Sequence, residues 1–122
     1  MSTQTRTGPF QQLAAKVEKF AADRDWGQFH SPKNLSMALS VECAELLEHF
    51  QWLTEDQSRT IPQTTLAEVK TELADVLIYA IRLSQVLGVD LLAAADAKLA
   101  ANAVKYPVEK SRGNAKKYTR LA

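Results

Sequence analysis

The sequence predicts an all-α fold, a four-helix bundle-like architecture, and three observations predict it. Only 4 glycines and 4 prolines interrupt 122 residues, a low density of helix breakers. Apolar residues recur at helical spacing over four stretches. No stretch alternates apolar and polar residues as a strand does, and no internal repeat of solenoid length is present.

Each element has its own signals. The first helix starts at Pro9, tolerated in a first turn because its missing N–H has no partner there, and carries Phe10, Leu13, Val17 and Phe20 to an end near Asp25. Ser31 followed by Pro32 reads as a cap and a first helical residue, opening a second helix through about Trp52. The polar stretch from Thr54 to Thr64 reads as a loop. Thr65 and Glu68 have the spacing of a capping box for a third helix, with Leu66, Val69, Leu73, Val76, Leu77, Ala80 and Leu87 as its stripe and Gly88 as its stop. Asp90 caps a fourth helix to about Lys105, closed by Tyr106-Pro107 because the residue before proline disfavours helical geometry.

Length and composition bound the function. With 15 Lys+Arg, 14 Asp+Glu and 46% hydrophobic residues, the chain reads as one soluble domain over 1–122, with 1–8 and about 110–122 as flexible or subunit-contacting tails. A chain of this length removes roughly 65% of its unfolded surface from water, enough for a core without staples. Cys43 is the only cysteine, so no internal disulfide forms. The polar start lacks the apolar core of a signal peptide, and no apolar run approaches the roughly 20 residues of a membrane span. The expectation is a cytoplasmic protein with no membrane partner. The balanced charge of +1 argues against a dedicated nucleic-acid binder. That balance is a sum of opposites: residues 1–97 hold 8 basic and 13 acidic side chains, and residues 98–122 hold 7 basic ones against Glu109 alone.

The chemistry-bearing residues are carboxylates beside apolar faces. At about 100° per residue, Leu35, Leu39, Cys43, Leu46 and Phe50 make one stripe, with Glu42 at its edge and Glu45 just beyond. The third helix repeats the layout, Glu72 at the edge of Leu73, Val76 and Leu83 with Asp75 three residues on. If the stripes pack together, four carboxylates converge beside a low-dielectric core, where like charges raise each other's pKa unless a cation joins them. Arg82 is the one side-chain cation on the same edges. An oxygen-only set, with His49 as the nearest nitrogen donor, favours a hard divalent ion, Mg²⁺ or Mn²⁺, whose remaining ligands are water and phosphate oxygens. A phosphate-bearing substrate follows. Glu48 reads as a surface charge, Glu68 as the capping-box acid and His49 as a surface histidine.

Glu42-x-x-Glu45, then 26 residues, then Glu72-x-x-Asp75 resembles the metal motif of the MazG-like all-α nucleoside triphosphate pyrophosphohydrolases. The segments FAADRDWGQFHSPKNL (20–35), ECAELLEHFQW (42–52), ELADVLIY (72–79) and NAVKYPVEKSRGNAKKYT (102–119) are similar to the dCTP pyrophosphatase branch, over most of the chain from Phe20 onward. Many members carry a further Glu where this chain has Val41, and the dCTP branch lacks it too. Val17 stands where a member of the branch has a histidine.

The resemblance implies hydrolysis of dCTP or a modified dCTP to the monophosphate and pyrophosphate, with Glu42, Glu45, Glu72 and Asp75 holding Mg²⁺ and one carboxylate orienting the attacking water. It assigns Trp26, His30 and Trp52 to the nucleobase and Tyr79 to the sugar or base. Lys98, Asn102 and Lys105 recur along one side of the fourth helix, a spacing that suits triphosphate oxygens, and the family ending supports that role. A homotetramer built as a dimer of dimers is implied, with Tyr79 and the basic tail acting across subunit contacts. The alternatives are a dUTP or broad-range deoxynucleotide pyrophosphatase and a non-catalytic helical module that binds a nucleotide or partner.

Overall fold

The computed structural model describes residues 8–121, and all regular structure among them is helical. Helix α1 spans Pro9–Asp23, followed by a 3-10 turn at Trp26–Phe29. Helix α2 spans Pro32–Glu48, α3 is a single turn at Glu55–Ser58, and α4 is the longest at Gln63–Leu87. Then come α5 at Leu91–Lys105, one turn of α6 at Val108–Ser111 and a 3-10 turn at Tyr118–Arg120. The chain falls into two compact units that divide between Gly88 and Val89. Among the described residues no single helix is long and apolar enough to cross a membrane.

In the first unit α2 lies along α4, and α1 packs on α4 with a smaller contact. The core between them is Val17 and Ala21 of α1, Leu35 of α2, and Val69 and Ile81 of α4. Buried Ser84 satisfies its hydroxyl locally, donating to the Ile81 carbonyl at 2.6 Å. On α1 the inward residue is Ala21 rather than Phe20, which is half exposed. Phe20 instead meets the edge of Trp26 at 5.5 Å and carries the Arg24 guanidinium 3.6 Å above its ring.

The local punctuation falls largely where the residues place it. Ser31 accepts the Asn34 amide at 3.1 Å, Asp90 accepts the Ala93 amide at 3.1 Å, and Gly88 ends α4 in the left-handed region at φ 68°. Tyr106 closes α5 ahead of Pro107. Three expectations change. Helix α2 stops at Glu48 rather than Trp52, where the amides of His49 and Phe50 shift to three-residue bonds onto the Leu46 and Leu47 carbonyls. The polar stretch after Thr54 is not all loop: Thr54 Oγ1 accepts the Gln57 amide at 3.1 Å while Gln57 Oε1 accepts the Thr54 amide at 2.9 Å, a closed capping box that starts α3. Helix α4 begins right after Pro62, so Thr65 is already inside it and the Thr65/Glu68 box does not form.

In the second unit, α5 is followed by the single turn of α6 and the 3-10 turn at Tyr118–Arg120. The Tyr118 ring meets Tyr106 edge-on at 6.1 Å and takes the Lys105 ammonium at 4.9 Å from its centre. Of the expected tails, residues 1–7 and 122 lie outside the described residues, while the Gly8 carbonyl accepts the Gln12 amide at 3.0 Å.

Candidate metal centre and adjoining pocket

Helices α2 and α4 bring the acids together by turning them inward. On α2 the half-buried or buried positions are Leu35, Ala38, Leu39, Glu42, Glu45, Leu46 and His49, the i, i+3, i+4, i+7 set of one face. Glu42 and Glu45 therefore sit in the inner face rather than on its rim, and Cys43, expected in the stripe, is exposed. On α4 the inward set includes Val69, Glu72, Asp75, Val76, Tyr79 and Ala80 and continues through Ile81 and Ser84, while Leu66, Leu73 and Leu77 are exposed. Helix α4 is apolar on more than one side, so its richest leucine row was not the one that packs.

Oxygens of Glu42, Glu45 and Glu72 all lie within 4.8 Å of one another. Asp75 is outside that tight group but close enough for its charge to act on Glu42. One oxygen of Glu42 and one of Glu72, Oε2 in both, are sealed from solvent without a hydrogen-bond partner. Ionised, neither finds a donor. Burial, then the hydrogen bonds that a protonated Glu42 makes to Glu72 and Glu45, then the charges of Glu45 and Asp75, push the Glu42 carboxyl up to about 7. The ion pairs found among the described residues, Lys19–Asp23, His49–Glu68 and Arg59–Asp56, involve none of the four acids. Arg82, the one candidate counter-charge from the sequence, is spent elsewhere: its Nε donates to His30 Nδ1 at 2.9 Å and its Nη1 to Gln85 Oε1 at 3.2 Å. Converging carboxylates with orphaned buried oxygens, none of them in an ion pair among the described residues, fit a hard divalent ion, for which all three clustered residues offer oxygen ligands.

Next to the acids is a pocket of about 380 Å³ whose walls include Trp26, His30, Asp75, Tyr79 and Arg82. The 3-10 turn after α1 delivers Trp26, with Asp25 before it in the left-handed region at φ 52° and held by Gln28 Nε2, which donates to the Asp25 carbonyl at 3.0 Å. Three of the base-site candidates, Trp26, His30 and Tyr79, thus meet in one pocket of a single chain. Trp52 does not join them and is 87% exposed, because α2 ends a turn too early to carry it inward. Lys98, Asn102 and Lys105 lie on α5 in the second unit, Lys98 and Lys105 exposed and Asn102 half-buried.

Sequence reasoning missed Lys16, Phe20 and Ile78 as pocket residues, and underused Arg82. The signal was present: 75, 78, 79 and 82 continue one face of α4 from the acids at helical spacing. His49 and Glu68 also differ from expectation. His49 is only 20% exposed at its side chain, and its Nδ1 lies 3.5 Å from Glu68 Oε2, so Glu68 faces a histidine instead of capping a helix.

The comparisons agree with this geometry. The MazG-like family model matches residues 37–121, the span that includes all four acids. The chain is 48% identical over 105 residues to mouse dCTP pyrophosphatase 1, covering 84% of this chain and 62% of that protein. It is 41% identical over 129 residues to the bovine dCTP pyrophosphatase 1, covering 96% of this chain and 75% of that one. The chain therefore spans less than two thirds of the mouse relative's length. A solved pyrophosphatase from Archaeoglobus fulgidus DSM 4304 superposes with a TM-score of 0.78 at 34% identity, over 87% of this chain and 99% of that chain. By its acids, its helices and these likenesses, the chain belongs to the MazG-like family.

Proposed function

We propose that the chain is a metal-dependent nucleoside triphosphate pyrophosphohydrolase that converts dCTP, or a modified dCTP, to the monophosphate and pyrophosphate. The observation that carries the reading is the pair of buried, partnerless oxygens on Glu42 and Glu72, beside Glu45 and next to an aromatic pocket. Relatives named dCTP pyrophosphatase 1 at 41% and 48% identity support the substrate.

Glu42, Glu45 and Glu72, with Asp75 beside them, would hold the ion, Mg²⁺ or Mn²⁺. When bound, it supplies Lewis acidity to the triphosphate and to water. One carboxylate of the cluster orients the attacking water, whose oxygen bonds to the α phosphorus as the bond to the α–β bridging oxygen breaks and pyrophosphate leaves. Trp26, His30 and Tyr79 receive the base and sugar, and Trp52, which lies outside their pocket in a single chain, would join the base only across a subunit contact. Lys98, Asn102 and Lys105 take the triphosphate oxygens, where charge-assisted hydrogen bonds are strongest. We assign the chain to the cytoplasm, acting on the nucleotide pool as a single domain, with neither nucleic acid nor membrane as partner. We assign it a homotetramer, and the apolar row Leu66, Leu73 and Leu77, which a single chain leaves exposed, supports a subunit contact on α4.

Pyrophosphate release over a panel of deoxynucleoside triphosphates, with and without Mg²⁺, tests the proposal. Metal-dependent release that is fastest from dCTP and lost for every nucleotide in Glu72→Gln is the expected result. Release from no nucleotide, or release indifferent to metal, overturns it.

A further inference from the structure

We infer that Arg82, braced by Gln85, holds His30 as a neutral Nε2–H donor that reads the acceptor edge of the cytosine ring, which makes Arg82 a positioning residue for base selectivity. This inference rests on the pyrophosphohydrolase reading above. It starts from a hydrogen bond between residues 52 apart in sequence, Arg82 Nε to His30 Nδ1 at 2.9 Å. A guanidinium has donors only, so the ring nitrogen it meets must present a lone pair. The imidazole proton is then on Nε2. An imidazolium would set N–H against N–H and place two cations in contact, so the ring is held neutral as well. Burial and then the Arg82 charge both lower the His30 pKa from its ordinary value, in agreement with that geometry.

Arg82 is itself aimed by a second layer. Gln85 Nε2 donates to the backbone carbonyl of Ala14 on α1 at 2.7 Å. A carbonyl can only accept, so the Gln85 amide must point its NH₂ at Ala14 and its oxygen at Arg82, which donates to it from Nη1 at 3.2 Å. Every link is thus fixed: Arg82 donates both to His30 and to Gln85, and Gln85 donates on to the Ala14 carbonyl. Trp26 stands edge-on to the imidazole at 6.2 Å, restricting the ring plane. With Nδ1 taken, Nε2–H is the polar atom that His30 can offer to the pocket it lines.

A fixed donor needs an acceptor. Cytosine presents two side by side, O2 and the unprotonated N3, whereas N3 of uracil and thymine carries a proton that opposes an incoming N–H. A ring free to exchange tautomers would serve either edge, because its Nδ1–H form turns an Nε2 lone pair toward the pocket. The clamp therefore converts an ambivalent histidine into a selective one.

Two measurements on the full chain test this. In protein labelled with ¹⁵N-histidine, long-range ¹H–¹⁵N NMR near neutral pH is expected to show His30 as the Nε2–H tautomer, its signals identified by their loss in His30→Gln. In steady-state kinetics, Arg82→Met is expected to raise KM for dCTP about tenfold, the size of one net hydrogen bond, with kcat changed less than about threefold and dUTP little affected. Arg82→Lys, which keeps a donor for Nδ1, is expected to recover most of the discrimination. A protonated or Nδ1–H ring in the unaltered protein overturns the inference. So does an unchanged dCTP-to-dUTP ratio in a folded Arg82→Met, which leaves the pyrophosphohydrolase reading standing. Absence of turnover of any nucleotide by the unaltered protein instead removes that reading, and base selection with it.

Discussion

Replacing Glu42 with Gln should stabilise the metal-free protein at alkaline pH while abolishing its response to Mg²⁺. Glu42 ordinarily titrates near 4.5, and in the fold burial, Glu72 and Glu45 push it up to about 7. Between those values the folded protein binds more protons than the unfolded chain, so stability falls as pH rises through the window and stays low above it. The full displacement amounts to about 3 kcal/mol, and water reaching the partly exposed cluster screens this to about 1–2 kcal/mol. For a chain of this size that is roughly 3–10 °C in Tm. Thermal melts by circular dichroism in chelator, at pH about 5 and about 8, measure it. The unaltered protein should lose roughly 3–10 °C more than Glu42→Gln between the two. Millimolar Mg²⁺ should restore the unaltered protein at the higher pH, because a ligand of the fold stabilises it by mass action, and should barely move the variant. Parallel pH profiles, or a variant that melts lower at pH about 8 in chelator, would refute the electrostatic reasoning.

Three further outcomes are expected. Ile81→Ala, at a site 1% exposed, should cost about 2–5 kcal/mol in urea unfolding through the cavity it leaves. Gly88→Ala should cost about 1 kcal/mol, since φ of 68° is strained for any residue with a Cβ, and its melt should show it. Cys43 should react with a thiol reagent in the native protein, as its exposure on the outer side of α2 requires; reaction only after denaturation would mean the helix is rotated from the arrangement described.

What could be read from the sequence is what depends on neighbours along the chain. Ser31, Gly88 and Asp90 mark helix ends through bonds spanning three or four residues, and the two i, i+3 acid pairs are visible as spacing alone. Before α4 the Thr65/Glu68 signal misplaces the start, because the helix already begins at Gln63, directly after Pro62. The Thr54/Gln57 box hid in a stretch whose polarity reads as loop. Rotation of α4 about its axis was not legible, because Leu66, Leu73 and Leu77 form as good an apolar row as the face that packs, and only the partner helix chooses. The Arg82–His30 bond joins residues with no local relation, so the sequence showed a cation near the acids while the fold uses it to orient a histidine.

The most direct measurement follows ³¹P NMR of dCTP as the protein consumes it in the presence of Mg²⁺. The account predicts that the triphosphate signals give way to dCMP and pyrophosphate together, in equal amounts, with no orthophosphate and no dCDP. Formation of dCDP and orthophosphate, or dCTP left intact, would contradict it.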